Sequence, residues 1–109
     1  MNREERIGMN EAVFRSVNER IQEVANAFQL TEEPLDLLCE CGDASCVERI
    51  TITRSEYETL RQDPLLFAVA PGHEAPDVEV VVEQRPTHDI VRKFAGVPEK
   101  IAEQTDPRS

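Results

Sequence analysis

The sequence predicts an α+β fold in which a long N-terminal amphipathic helix is followed by a small antiparallel β module with one short helix. Residues 10–30 contain no Gly or Pro and repeat apolar residues every three or four positions, which is the helical period. Short β-branched segments separated by Gly and Pro follow, as is typical of antiparallel strands. All three cysteines of the chain fall within eight residues, which indicates that a bound metal staples the module.

We expect the N-terminal helix to begin at Asn10, a favourable N-cap residue, and to end near Thr31 because Pro34 follows. Its apolar residues also fit the a and d positions of a heptad seam, namely Ile7, Phe14, Val17, Ile21, Val24 and Phe28. Two interpretations stay open. The helix can lie on its own domain, or residues 10–30 can pair with a second copy in a homodimer. The narrow seam and the polar outer faces favour the homodimer.

The cysteines lie on a predicted hairpin. Leu35–Cys41 is expected as a strand, Gly42 and Asp43 supply the turn, and Val47–Thr53 is expected to return. Because residues two apart in a strand project from the same face, Cys39 and Cys41 lie side by side and Cys46 returns on the other arm. An odd number of cysteines in a reducing compartment favours metal over disulfides. We expect one Zn²⁺ per chain, with an iron–sulfur cluster as the alternative.

A structural zinc site needs a fourth protein ligand, and we predict that it is His73. This histidine follows a Pro-Gly turn at the end of the predicted buried strand 65–70, and the turn directs it back toward the cysteines. His88 is the main rival for this position, followed by Asp43 or a water molecule. A water ligand would leave the coordination open and would change the functional interpretation.

Further elements follow from local signals. Thr53 and Glu56 have the spacing of a capping box, which predicts a short helix over Ser55–Gln62. Val78–Glu83 is predicted as a strand with Val78, Val80 and Val82 on one face, and residues 88–94 as its antiparallel partner. The expected organisation is therefore an N-terminal helix (1–34), a zinc-binding α+β module (35–97) and a frayed or mobile tail (98–109).

The charge of the chain limits its partners. The formal net charge is −10, which disfavours nucleic acid and anionic membranes and makes a protein with a basic surface the expected partner. The sequence contains no apolar run of signal-peptide or membrane-span type, so a soluble cytoplasmic protein is expected.

Three segments together resemble a group of small bacterial proteins. They are Phe14-Arg15-Ser16-Val17-Asn18-Glu19-Arg20-Ile21, Cys39-Glu40-Cys41-Gly42-Asp43-Ala44-Ser45-Cys46 and Ala70-Pro71-Gly72-His73. The resemblance covers nearly the whole chain in order. It implies a small stand-alone protein with a metal site made by the three cysteines and the Gly-His pair, and it implies no activity.

These observations predict a non-enzymatic, zinc-stabilised protein–protein interaction or regulatory module. The alternative is a thiol-based redox or metal sensor that releases zinc on oxidation. A metalloenzyme would need an open zinc position and a general base such as Glu74 or His88. No H-E-x-x-H motif orders such a site in this sequence.

Overall fold

The computed structural model describes residues 1–29 and 33–108, and it confirms the predicted α+β class. Within these residues the elements are, in order, α1 (Arg3–Ala27), β1 (Pro34–Leu38), β2 (Arg49–Thr53), α2 (Arg54–Leu60), β3 (Leu66–Val69), β4 (Glu79–Gln84), β5 (Asp89–Lys93) and α3 (Val97–Gln104). The expected helix end near Leu30 and Thr31 lies outside the described residues, as does Ser109. Within the described ranges, no helix combines the length and hydropathy that a bilayer crossing needs.

The strands form two small antiparallel sheets. The predicted hairpin is confirmed as the β1–β2 pair, in which Leu37 lies opposite Ile50 and Leu35 lies opposite Ile52. The second sheet has the strand order β3-β5-β4. Alternation directs the apolar residues of β1 and β2 inward, where they join a core shared by both sheets and α2. Its fully buried members include Leu37, Ile50, Tyr57, Phe67, Val69 and Val91.

Helix α1 begins earlier than the sequence suggested. Asn2 is the N-cap and forms a capping box with Glu5, so the expectation that Asn10 caps the helix is wrong. Asn10 lies inside the helix, where its side-chain amide donates to the carbonyl of Gly42 at 2.9 Å. Gly8 is accommodated within α1 because Ile101 of α3 packs against it, and a Cβ there would lie 2.7 Å from the Ile101 Cγ2.

The face of α1 that contacts the rest of the protein is largely polar. Glu11, Arg15, Asn18 and Gln22 are all buried, whereas the valines on the opposite side are exposed. The interpretation in which this helix lies on its own domain is confirmed, although Ile7, Ala12 and Ala25 supply only part of the buried face and polar side chains supply the rest. The sequence pattern identifies two chemically different faces, but it does not reveal that the polar residues form hydrogen bonds with distant parts of the same chain.

Those partners are largely backbone groups. Arg15 donates to the carbonyls of Pro64 and Ala102, both at 2.8 Å, and its guanidinium lies 4.4 Å from the ring centre of Phe67. Asn18 both donates to the Leu38 carbonyl (2.9 Å) and accepts from the Leu38 N–H (2.8 Å). Buried polar side chains are tolerated when they are hydrogen-bonded in this way. The helix is thus held by directed bonds rather than by apolar contact alone.

Strand β4 also differs from expectation. Val80 and Val82 are largely exposed, and Val78 is buried but precedes the strand. The shared apolar face predicted for these three valines is therefore wrong. Glu79 occupies the inward position because it pairs with Lys93, and a register shift between Val81 and Glu83 interrupts the alternation.

The chain does not end in the expected tail. Residues Val97–Gln104 form α3, whose Ala102 is buried against the core. Beyond α3, the Arg108 guanidinium donates to Glu19 at 2.9 Å and to Glu58 at 2.8 Å. Arg108 therefore links the C-terminal segment to α1 and α2, in addition to the apolar contact that Ala102 makes with the core.

A buried charge cluster joins α1 to the second sheet. The Lys93 ammonium donates to Glu79 at 2.9 Å and to Glu11 at 2.5 Å, and all three side chains are almost completely buried. Burial, reinforced by the neighbouring Glu79 carboxyl, raises the pKa of Glu11 well above its ordinary value. One carboxylate is enough to balance Lys93, so this environment favours the protonated form of Glu11.

A preference of buried Glu11 for its protonated form predicts that Glu11→Gln does not lower the free energy of unfolding at neutral pH and raises it relative to the native chain as pH increases, because the amide is neutral in both the folded and the unfolded state. Native Glu11 binds a proton that the unfolded chain loses above its ordinary pKa of 4.5, so its contribution to stability falls as pH rises above that value. In urea unfolding between pH 5 and 8, the free energy of unfolding should decline less steeply with pH in the variant than in the native chain.

The double change Glu11→Gln with Glu79→Gln leaves Lys93 without a carboxylate and should lower the free energy of unfolding by about 3 kcal/mol or more. A single Glu11→Gln as costly as the double change would contradict the preference of Glu11 for its protonated form.

Candidate metal centre

The cysteine segment leaves β1 in an extended conformation. The Cys39 N–H donates to the Glu48 carbonyl at 3.1 Å, and the Glu40 N–H donates to the Ala68 carbonyl at 2.9 Å. Successive residues therefore bond in opposite directions, to the hairpin and to β3. This alternation places Cys39 and Cys41 on one side of the chain and Glu40 on the other.

A tight turn then returns Cys46 to the other two cysteines. The Asp43 carboxylate accepts from the backbone N–H (2.9 Å) and the hydroxyl (2.7 Å) of Ser45, and the Cys46 N–H donates to the Asp43 carbonyl at 3.0 Å. Gly42 is needed because Ile7 of α1 packs directly on it. A Cβ at this position would lie 2.4 Å from the Ile7 Cγ2, which is too close for any larger residue.

His73 reaches the cysteines by the predicted Pro-Gly turn. The His73 N–H donates to the Ala70 carbonyl at 3.0 Å, and Gly72 adopts a positive φ of 82°, as a type II turn requires. The Gly72 N–H is held by the Asp89 carboxylate at 3.1 Å. The imidazole Nδ1 then lies 3.6 Å from the Cys39 Sγ and 3.7 Å from the Cys46 Sγ.

The four predicted ligands thus come together. The donor atoms of Cys39, Cys41, Cys46 and His73 all lie within 4.8 Å of one another. A tetrahedral zinc ion with Zn–S bonds near 2.3 Å and a Zn–N bond near 2.0 Å separates sulfur from nitrogen by about 3.5 Å. The two measured Sγ–Nδ1 distances match this value, so the cluster is compatible with zinc binding. His88 lies elsewhere, beside Thr87, and the Asp43 carboxylate is engaged by Ser45.

Backbone groups also favour the thiolate forms. The Ala70 N–H donates to the Cys39 Sγ at 3.0 Å, and the backbone at Asp43 and at Glu48 acts to lower the pKa of Cys41 and of Cys46, respectively. Such bonds favour the thiolate and orient it, which is the role that surrounding donors play at metal sites.

Interactions among the three thiols shift their pKa values in opposite directions. A hydrogen bond from the Cys39 thiol lowers the pKa of Cys41 to about 5. The same bond together with burial raises the pKa of Cys39, and burial raises that of Cys46. A divalent cation would change this balance, because it stabilises all three thiolates at once. The cluster is therefore electrostatically suited to a cation.

Glu40, between two of the cysteines, is the residue whose role the sequence did not reveal. It is completely buried, and its carboxylate accepts from the Tyr57 hydroxyl (2.6 Å), the Asn18 amide (2.9 Å) and the Ala68 N–H (3.0 Å). Burial raises its pKa, and these three donors oppose that rise. The available signal was the alternation itself, because an extended segment that places Cys39 and Cys41 on one side places Glu40 on the opposite side, among Tyr57, Asn18 and Ala68.

Tyr57→Phe tests this connection. The change removes one donor to a buried carboxylate while keeping the ring in place, and it should lower the free energy of unfolding by about 1.5–3 kcal/mol. Thr59→Ala on the same helix removes an exposed hydroxyl that donates to the Ser55 carbonyl, and its effect should be below about 0.5 kcal/mol. Equal effects of the two variants in urea unfolding would refute the role given to Glu40.

The choice of fourth ligand is tested by a pair of histidine variants. His73→Ala should weaken metal binding by at least about 100-fold, because the loss of a direct ligand exceeds the loss of a supporting contact. His88→Gln should keep the metal. Elemental analysis after gel filtration with a competing chelator measures both, and metal loss in the His88 variant alone would reverse the assignment.

No protein-family model, curated protein or solved structure gives a significant match to the chain. The resemblance to small bacterial proteins stays an expectation for that reason. The functional conclusion therefore depends on the geometry of the four donors and on the surfaces that surround them.

Proposed function

We propose that the protein is a non-enzymatic, zinc-stabilised protein–protein interaction or regulatory module. The convergence of Cys39, Cys41, Cys46 and His73 into one closed donor set carries this proposal. Three thiolates and one imidazole are a common ligand set for structural zinc, and soft thiolates disfavour magnesium and calcium. We assign one Zn²⁺ to each chain.

The position of the ligands in the chain supports a structural role. The cysteines belong to the connection between β1 and β2, whereas His73 belongs to the connection between β3 and β4. One ion bound to all four would therefore cross-link the two sheets. Such a link adds binding energy directly to the folded state, since the unfolded chain holds no preformed site.

A closed ligand set also argues against catalysis. A catalytic zinc keeps one position for water or substrate, and here four protein donors fill the tetrahedron. The formal net charge of −10 supports a protein partner with a basic surface, with charge attraction speeding the encounter.

Metal removal tests the structural role. Stripping the protein with a strong chelator should lower the thermal midpoint by at least about 10 °C and broaden the amide NMR signals of residues 39–48 and 70–75. Adding zinc should restore both, whereas adding magnesium should restore neither. An apoprotein with the midpoint and spectrum of the metal-loaded protein would rule out this function.

A redox or metal sensor is the second candidate, because Cys46 and His73 are only partly buried. An oxidant can therefore reach one thiolate without prior unfolding, and oxidation of that sulfur would release the ion. A zinc-sensitive dye should then report release under mild peroxide treatment. Full retention of zinc at that oxidant level would count against the sensor and leave the structural module intact.

A further inference from the structure

The outer face of α1 presents a row of exposed apolar residues, which Arg20 interrupts between Val17 and Val24. We define the outer stripe as Met9, Val13, Val17, Val24 and Phe28, whose exposed fractions are 43%, 59%, 40%, 58% and 73%. The stripe is not the heptad seam suggested by the sequence, because Ile7 is buried within the protein and Phe14 and Ile21 are half-buried at its margin.

This arrangement departs from that of a normal surface helix, which buries its apolar face, because polar side chains occupy much of the buried face of α1 while these five large apolar residues are exposed. The stripe exposes on the order of 450 Å² of apolar side chain, which is as large as the largest patch on a typical monomer. Two such stripes with their flanking residues reach roughly 1,000 Å², which is the lower limit for a specific interface and therefore fits a weak dimer. The area therefore suits a pairing of two equal faces.

The two ends of the stripe are complementary in shape. Phe28, the most exposed member, projects at the C-terminal end of α1. At the other end, a groove of about 400 Å³ lies between α1 and α3. Its apolar lining residues are Met1, Met9, Val97 and Ile101, and its polar ones are Asn2, Glu5, Lys100, Gln104 and Thr105. In a two-fold pair, the aromatic side chain at one end of each stripe can enter the apolar part of the groove at the other end of its partner, and this contact occurs twice.

We propose that two copies of the chain pack antiparallel through the outer stripe, with Phe28 of each chain inserted in the groove beside Met9 of the other. This dimer proposal rests on the interaction module proposed above, and it identifies the partner of that module as a second copy of the same chain. Met9 and Phe28 are separated by about 28 Å along a helix with a rise of 1.5 Å per residue. Reversal of one helix aligns Phe28 with Met9 and Val24 with Val13.

The charges on this face of α1 favour an antiparallel second copy over a basic partner or a parallel copy. Arg6 and Arg20 lie seven residues before and after Val13 and so share its face. Two arginines disfavour a basic partner at this surface. In a parallel pair, Arg20 would face its own copy and both grooves would stay empty. In the antiparallel pair, Arg20 is level with Val17 and can extend along the seam to solvent.

Sedimentation equilibrium tests the association. The native chain should have twice the 12.4 kDa mass of one chain, and Val24→Glu should weaken dimerisation by at least about 100-fold because the new carboxylate is buried without a partner. Val82→Glu, which makes the same change at a valine on β4 that is 51% exposed, should leave the dimer intact. A native chain that is monomeric at about 100 μM would overturn the proposal.

A charge exchange tests the orientation. Val13→Glu combined with Val24→Lys places opposite charges against each other twice in the antiparallel pair, so the double variant should dimerise at least about ten-fold more tightly than Val13→Glu alone. In a parallel pair like charges would meet, and a double variant no tighter than the single one would refute the antiparallel arrangement. The zinc content of each variant distinguishes failure of the dimer proposal from failure of the zinc-module proposal. A zinc-loaded monomer would refute only the dimer, and a metal-free dimer would refute only the zinc module.

Discussion

The alternation of the backbone at residues 39–41 is the constraint on which the rest of the structure depends. It places two cysteines in the Cys39, Cys41, Cys46 and His73 donor cluster and directs Glu40 to the opposite side, where its carboxylate bonds to Asn18 of α1, Tyr57 of α2 and the backbone of β3. One extended tripeptide therefore connects the donor set to three separate elements. An ion that fixes the two sulfurs also fixes the residue between them, so metal binding and core packing reinforce each other.

The small number of large apolar residues in the chain also explains the unusual orientation of α1. Aromatic residues make up only 5% of the chain, and the interior contains directed polar bonds and ion pairs where larger proteins bury more apolar surface. The arginine and glutamate side chains on the inner face of α1 each find a specific partner, such as Arg15 with the carbonyls of two distant segments. Directing these groups inward leaves the apolar side of the helix outside, where it is available for a partner.

The predictable parts of the structure are those set by local chemistry. The cysteine turn, the capping box at Thr53 and the Pro-Gly turn before His73 each depend on neighbouring residues, so the donor set could be predicted from the sequence. The inner face of α1 could not, because its partners lie far along the chain: Arg15 bonds the carbonyl of Ala102, 87 residues away. The order of the C-terminal segment was missed for the same reason, since it depends on pairs such as Arg108 with Glu19.

The central claim is that a single zinc ion joins the cysteine turn to the turn that carries His73. Zinc K-edge X-ray absorption on the purified protein tests it most directly, because the signal reports the number and type of atoms bound to the metal. The account predicts three sulfur atoms at about 2.3 Å and one nitrogen atom at about 2.0 Å. A spectrum with two or fewer sulfur ligands, or with an oxygen atom in place of the imidazole nitrogen, would contradict it.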